Sequence, residues 1–295
     1  MAWPSRVKPT KITAKGPVLS VYFDNAKAGW EQWVLLTADN HHDSRYCDRK
    51  LELIHLAQAK EREAVILNFG DLFCAMQGKY DPRSSMDDIR PEDVGQDYLD
   101  RIVKHAAEFY GPYAENFLLL GKGNHETSIR RHHGTDLTSN LAHRLNTDFG
   151  GAVHVGGYGG WVRFMFKTHT TKSQTIRLKY FHGSGGGRSQ VTRGVIQHNR
   201  QAVYLPDAHI IVNGHSHDSW VLPRGRERLS THGVVYKDLL WFVRIPGYKD
   251  EYGDGSEGFH IEKGRDPRPV GAAWLRFYVE SHTGRVLHEA TQAVI

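Results

Sequence analysis

Apolar residues in this chain gather in short runs that stop at polar clusters. Val18-Leu19-Ser20-Val21-Tyr22-Phe23, Trp33-Val34-Leu35-Leu36-Thr37-Ala38, Ala64-Val65-Ile66-Leu67-Asn68-Phe69 and Phe117-Leu118-Leu119-Leu120 read as strands. Between them, Leu51, Leu53, Ile54, Leu56 and Ala57 predict a helix, capped near Asp43 or Ser44 and running to about Glu63. A second helix is predicted from Glu92 or Asp93 to Tyr110, after a polar surface loop over 77–92. Strand, helix, strand in alternation is the signature of a βαβ crossover with parallel pairing.

A further helix is predicted over Asp136 to Asn146, and then the pattern changes. Glycine-rich Gly150 to Gly160 precedes Trp161-Phe166 and Thr175-Phe181, which alternate like antiparallel strands. Asp207 to Asn213, Val234 to Val243, Ala272 to Val279 and Arg285 to Glu289 extend this β-rich half. The charged, glycine-containing stretch 244–269 reads either as a lid over a site or as a surface excursion. No repeat or linker divides the chain, so residues 1–295 are expected to form one domain.

The strand-like runs end in Asp39-Asn40-His41, Gly70-Asp71, Gly123-Asn124-His125-Glu126, His182-Gly183 and Gly214-His215-Ser216-His217. Strand C-terminal ends are where open α/β sheets bind ligands. Two adjacent divalent cations need a bridging carboxylate with imidazole, amide and carboxylate groups on each side. Asp39 and His41 can converge on one ion, and Asp71 is suited to bridge. Asn124, His182 and His215 could complete the second ion, and His217 returns to the first. His215 and His217 would project from one side of an extended segment. His42 could contest the role of His41. Two metals, two aspartates and a hydroxide leave a net charge of about +1, which attracts a phosphate. Imidazole-rich ligation suits Mn, Fe, Zn, Ni or Co rather than Ca.

Composition narrows the class. With 39% hydrophobic and 24% charged residues the chain can build a core and is not a disordered sequence. Its apolar runs are too short to span a membrane, and Met1-Ala2-Trp3-Pro4 lacks a signal-peptide core, so a soluble, cytoplasmic protein is expected. Cys47 and Cys74 are the only cysteines and form no Cys-x-x-Cys pair, which argues against a thiolate zinc site or a disulfide framework. A net charge of +5 suits anionic substrates. With 19 histidines a single His-x-His says little, and only the ordered set carries weight.

That ordered set, Asp39-x-His41, Gly70-Asp71, Gly123-Asn124-His125-Glu126, His182 and Gly214-His215-x-His217, resembles the calcineurin-like metallophosphoesterase superfamily. The resemblance implies a four-layer sandwich of two mixed β-sheets flanked by helices, with a dinuclear metal site at strand C-terminal ends. It implies that Asp39, His41, Asp71 and His217 hold one metal, and Asp71, Asn124, His182 and His215 the other. It further implies a metal-bridging hydroxide that attacks phosphorus in line, and His125 contacting the phosphate and protonating the leaving oxygen. Cys74 stands where many members carry an aspartate, which bears on substrate positioning rather than on the ligands. The run from Asp39 through Asp43-Ser44 to Cys47-Asp48 also resembles phage-encoded members, whose setting would be a host cytoplasm.

Other chemistries fail on spacing. A zincin would need His at Ile129, and a nucleophile elbow would need Gly at His182. Arg188 and Arg193 are candidates for substrate phosphate, with Arg200 beside them, although surface ion pairing is the fate expected of at least two of the three. Gly183-Ser184-Gly185-Gly186-Gly187 is either a backbone nest for phosphate or a flexible loop. The expected function is a metal-dependent phosphoester hydrolase acting on phosphodiesters, nucleotides or nucleic acid. The alternatives are a phosphomonoesterase, or a non-catalytic metal-stabilised nucleic-acid-binding protein.

Overall fold

The computed structural model describes residues 9–76, 88–184, 191–252, 259–262, 264 and 266–295. In chain order the first half carries β1 (Lys11–Lys15), β2 (Val18–Phe23), β3 (Glu31–Thr37), α1 (Arg49–Glu61), β4 (Val65–Asn68), α2 (Tyr98–Tyr110) and β5 (Phe117–Leu120). Next come α3 (Asn124–His133), α4 (Leu137–Asp148), β6 (His154–Val155), β7 (Gly159–Lys167), β8 (Ser173–Phe181) and α5 (Val195–Tyr204). The chain closes with β9 (Ile210–Asn213), β10 (Trp220–Leu229), β11 (Val235–Arg244), a short α6 (Phe259–Glu262), β12 (Gly271–Val279) and β13 (Val286–Val294).

Two mixed sheets result, one ordered β1-β2-β7-β8-β9-β11-β10 and the other β13-β12-β3-β4-β5-β6. In the second, β3, β4, β5 and β6 run parallel while β12 and β13 are antiparallel. Strand β3 shows why its sequence is apolar on both faces. Leu35 points to a core shared with Leu56 of α1 and Ile102 and Ala106 of α2. Val34 and Leu36 point the other way, into a core shared with Leu19, Val21, Val162 and Phe164 of the opposing sheet. Each such side chain, fully withdrawn from water, contributes about 1.5–3 kcal/mol. A smaller cluster of Ala208, Ile211, Leu240 and Phe242 lies on the outer face of the seven-stranded sheet, against Ala202 of α5. The layers therefore run helices, sheet, sheet, helix.

Several boundaries differ from the sequence expectation. Helix α1 is capped by Asp48, whose Oδ1 accepts from the amides of Lys50 and Leu51. Asp43 cannot serve as the cap because its carboxylate is engaged elsewhere. Its Oδ1 accepts from the Cys74 amide at 2.5 Å, and its Oδ2 from the Ala75 amide at 2.8 Å and the Tyr98 hydroxyl at 2.6 Å. Helix α2 starts at Tyr98 rather than near Glu92, where Pro91–Asp93 makes only one 3₁₀ turn. Of the loop expected over 77–92, residues 77–87 lie outside the described residues. The segment expected as a lid or surface excursion, 244–269, begins in the interior: Arg244, Ile245, Tyr248, Lys249 and Glu251 are all buried. Helices α3 and α5 and strand β10 have no counterpart in the sequence reading.

Candidate metal centre

Five strands deliver polar groups to one end of the two sheets. Backbone hydrogen bonds lash those ends together. The Asp39 amide donates to Gly70 O (2.9 Å), the His41 amide to Asp71 O (3.1 Å) and the Gly214 amide to His182 O (2.8 Å). Beyond the strands the backbone turns sharply. Asp39, His41, Asp71, His215 and His217 all have positive φ, between 46° and 70°. A non-glycine residue held there costs of order 1–3 kcal/mol, and such strain gathers at functional sites. Glycines make room for it. A Cβ on Gly123 would run into the Asp71 carboxylate, and one on Gly214 into the Asp39 carboxylate.

The side chains converge in two triads. Ligating atoms of Asp39, His41 and His217 lie within 4.8 Å of one another, as do those of Asp71, His182 and His215. The triads adjoin. Asp39 Oδ1 is 3.7 Å from His217 Nε2 and 3.9 Å from His182 Nε2, and Asp71 Oδ2 is 3.0 Å from His182 Nε2. Both aspartates thus face the boundary between the groups. His215 and His217 divide between the triads, but not by projecting from an extended strand. Both residues sit in left-handed conformations, and the Ser216 amide donates back to Gly214 O at 2.9 Å.

The hydrogen bonds set the tautomers. His182 Nδ1 donates to Phe69 O at 3.0 Å, leaving Nε2 to face Asp71. Only a proton or a cation can lie favourably between that nitrogen and a carboxylate oxygen. Burial pushes Asp39 up to about 7 against the pull of His182. Burial also favours neutral His182, but Asp71 and Asp39 outweigh it and raise the imidazole to about 9. Asp71 is the reverse case: burial would raise it, yet His182 and His125 hold it well below the usual carboxylate range. Burial keeps His41 and His215 neutral, His215 down at about 4. Asp39 Oδ1, His41 Nδ1 and Asn124 Oδ1 are buried without a hydrogen-bond partner among the described residues. Two buried carboxylates beside the neutral imidazoles of His41 and His215, with His182 holding a proton where a cation would sit, fit borderline divalent cations.

Around the triads stand residues with no evident role in the sequence. Glu126 Oε2 accepts from the Asp71 amide (3.0 Å) and the Gly123 amide (2.8 Å), and Oε1 from the Phe73 amide (3.0 Å). It clamps the Asp71 loop to the start of α3, whose His125 amide donates to Asp71 Oδ1 at 2.9 Å. A helix N-terminus pointed at a carboxylate favours its charged form. Arg244 is buried and donates to Gly214 O at 2.7 Å, fixing the loop that carries His215 and His217. The Tyr248 amide donates to Asp39 O (3.1 Å), so the 244–251 segment forms a floor beneath Asp39. Lys249 is ion-paired with Glu251 and, at 3.4 Å, with Asp88.

His125 sits at the edge of both triads, its Nε2 3.8 Å from Asp71 Oδ2 and its Nδ1 2.6 Å from Cys74 O. Asn124 opens α3 beside it. Cys74 is buried and its thiol is pushed far up by burial, so it contributes its carbonyl rather than a thiolate. His42 does not compete with His41. It lies behind the centre, 3.6 Å from Glu52, with burial lowering its pKa. Arg193 is mostly exposed, 4.0 Å from Asp266, and Arg200 lies on the exposed side of α5. Arg188 and Gly185 to Gly187 lie outside the described residues.

No family model and no curated protein matches the sequence. Among solved structures the chain is similar to a zinc-bound Vps29 from Entamoeba histolytica, with 11% identity over 88% of this chain and 98% of that one, TM-score 0.36. It is also similar to a predicted phosphoesterase from Streptococcus pneumoniae, 12% identical over 89% and 99%, TM-score 0.32. A metallophosphoesterase from Sphaerobacter thermophilus is 13% identical over 88% and 89%, TM-score 0.33. With identities of 11–13% and TM-scores of 0.32–0.36, the chemistry of the centre rests on the chain's own residues. Among the described residues no helix is long and apolar enough to cross a membrane.

Proposed function

We propose that this chain is a dinuclear metal-dependent phosphoester hydrolase whose substrates are phosphodiesters, nucleotides or nucleic acid. The observation that carries the proposal is the adjacency of the Asp39–His41–His217 and Asp71–His182–His215 triads, buried apart from half-buried His215 and His217, and sharing a boundary lined by both carboxylates. Asp39, His41, Asp71 and His217 would hold one divalent cation; Asp71, Asn124, His182 and His215 the second. Cations held there supply Lewis acidity toward a phosphoryl oxygen and a water acidic enough to act as a nucleophile near neutral pH.

The protein's own groups do the rest. His125 Nδ1 donates to the Cys74 carbonyl, which confines proton exchange to Nε2 on the side facing the centre. A proton held at that atom can pass to the departing alkoxide, which is general acid work. Asp43 holds the Cys74 loop and so orients His125 indirectly. A net charge of +5 suits an anionic substrate, which a diester and a monoester both are, so the diester reading is the one put to the test.

The test compares turnover of a bis-aryl phosphate with a mono-aryl phosphate across added Mn, Ni and Zn. Preference for the diester supports the reading. A clear monoester preference reverses the substrate class, and no turnover of either under any metal removes the hydrolase.

A further inference from the structure

The outer face of the seven-stranded sheet, away from the metal centre, has a composition that hydrolysis does not explain. Strand alternation sends Leu19, Val21 and Phe23 of β2, Val162, Phe164 and Phe166 of β7, and Ile176, Leu178 and Tyr180 of β8 into the core. The intervening residues therefore face outward. Register places them side by side: Lys11 opposite Tyr22 and Lys15 opposite Val18, Tyr22 beside Met165 and Val18 beside Trp161. Next along, Trp161 lies opposite Lys179, Arg163 opposite Arg177, and Lys167 opposite Ser173. Every ionisable side chain in this array apart from Tyr22 is cationic (Lys11, Lys15, Arg163, Lys167, Arg177 and Lys179), with no carboxylate among them.

Elsewhere this protein pairs its cations: Arg226 with Asp238, and Arg276 with both Glu31 and Glu289. On the sheet face none of the six is ion-paired with a carboxylate among the described residues. Arg177 Nε donates to the Asp207 carbonyl (2.8 Å), Lys11 rests 5.7 Å over the Tyr22 ring and Lys179 5.3 Å over Trp161. Like charges directly opposite on neighbouring strands destabilise a sheet, so Arg163 facing Arg177 is a local cost that no paired carboxylate offsets. No helix of the described residues makes an extensive contact with β1, β2, β7 or β8, and only Trp161, near the start of β7, reaches the cluster beside α5.

We propose that this face binds single-stranded nucleic acid. A polyanion is called for by the charge, and a single strand by the surface. Tyr22 and Trp161 lie between the cations on an open sheet, the arrangement on which bases stack while phosphates meet Lys and Arg. A lipid surface fits less well, because Val18 and Met165 are half-buried and no large aliphatic side chain of the array protrudes for insertion. The outward row of β8 ends at Phe181, one residue before His182. At 3.3 Å per residue, Arg177 is about 16 Å from His182, so a strand lying along β8 would be led to the metal centre.

The test measures binding by fluorescence anisotropy of a fluorescein-labelled oligothymidylate, with chelator present so that nothing is hydrolysed. The outcome is therefore independent of whether the centre is a hydrolase. Arg163→Gln/Arg177→Gln is expected to lower affinity about tenfold and to reduce the slope of log affinity against log salt by about two. Removing opposed charges should leave the melting temperature equal or higher. Lys50→Glu/Lys104→Glu, on exposed positions of α1 and α2, should bind as wild type. The proposal is overturned if the sheet-face variant binds normally, if the helix variant loses as much, if a duplex is preferred, or if phosphatidylserine vesicles are bound and the oligonucleotide is not.

Discussion

His182 Nε2 lies 3.0 Å from Asp71 Oδ2 while the other nitrogen of the same ring, Nδ1, lies 3.0 Å from the Phe69 carbonyl. A backbone carbonyl can only accept, so Nδ1 keeps its proton and the Nε2 lone pair is directed at a carboxylate. Such a contact is stable only around a positive charge, and Asp39 Oδ1 at 3.9 Å draws that charge toward the boundary of the two triads.

Removing Asp71 should therefore abolish more than one bond. Asp71→Ala is expected to lower phosphodiester turnover by more than about 100-fold and to lower the metal retained per chain, as first-sphere ligands affect binding at least as strongly as their supports. Elemental analysis of wild type and variant, loaded and desalted together, checks it. Equal metal content in both would refute the assignment.

His125→Ala should separate chemistry from ligation. Turnover of a diester with a poor leaving group is expected to fall about 10²- to 10⁴-fold, with metal content unchanged. A nitrophenyl ester, whose leaving group needs no proton, should lose far less. Equal losses on both substrates would deny His125 the acid role.

Gly214→Ala places a methyl group against the Asp39 carboxylate and 2.7 Å from Ala38 Cβ. Overpacking of this kind costs about 1–3 kcal/mol. Chemical unfolding should register that loss together with weaker metal retention. A variant as stable and as metal-replete as wild type would show that the loop yields freely.

His198 predicts acid lability away from the centre. It is fully buried, and burial together with the Arg244 guanidinium 3.5 Å away pushes its pKa down to about 3, against 6.5 when exposed. Between those values the unfolded chain binds more protons than the folded one. Stability therefore rises with pH across that window and is lost as pH falls from about 6.5 toward 3. Urea unfolding at a series of pH values should show this slope, flattened in His198→Leu; identical slopes would exclude His198 as a contributor.

The parts of the fold readable in the sequence are those where one local pattern suffices. Phe117–Leu120 is a strand with the expected bounds, because a run buried on both faces must be apolar throughout. Helix α3 was not readable: its only buried apolar residue is Ile129, and its start is secured by Glu126 reaching back to Gly123. Strand β10 contains Pro223 and Gly225, which argue against a strand, but at the sheet edge neither costs a ladder bond that matters.

What the linear chain determined was the type and order of the residues that the fold brings together, Asp39, His41, Asp71, His125, His182, His215 and His217, each just beyond a strand-like run. Residue type and position relative to a strand end are local properties, and a parallel sheet carries such ends to one side. Only the tertiary structure decided that Asp43, Glu126 and Arg244 hold the loops, and that the 244–251 segment is a floor instead of a cover. Those roles depend on contacts between residues far apart along the chain, as between Arg244 and Gly214 or Asp43 and Cys74, and no periodicity in the sequence records a contact of that kind.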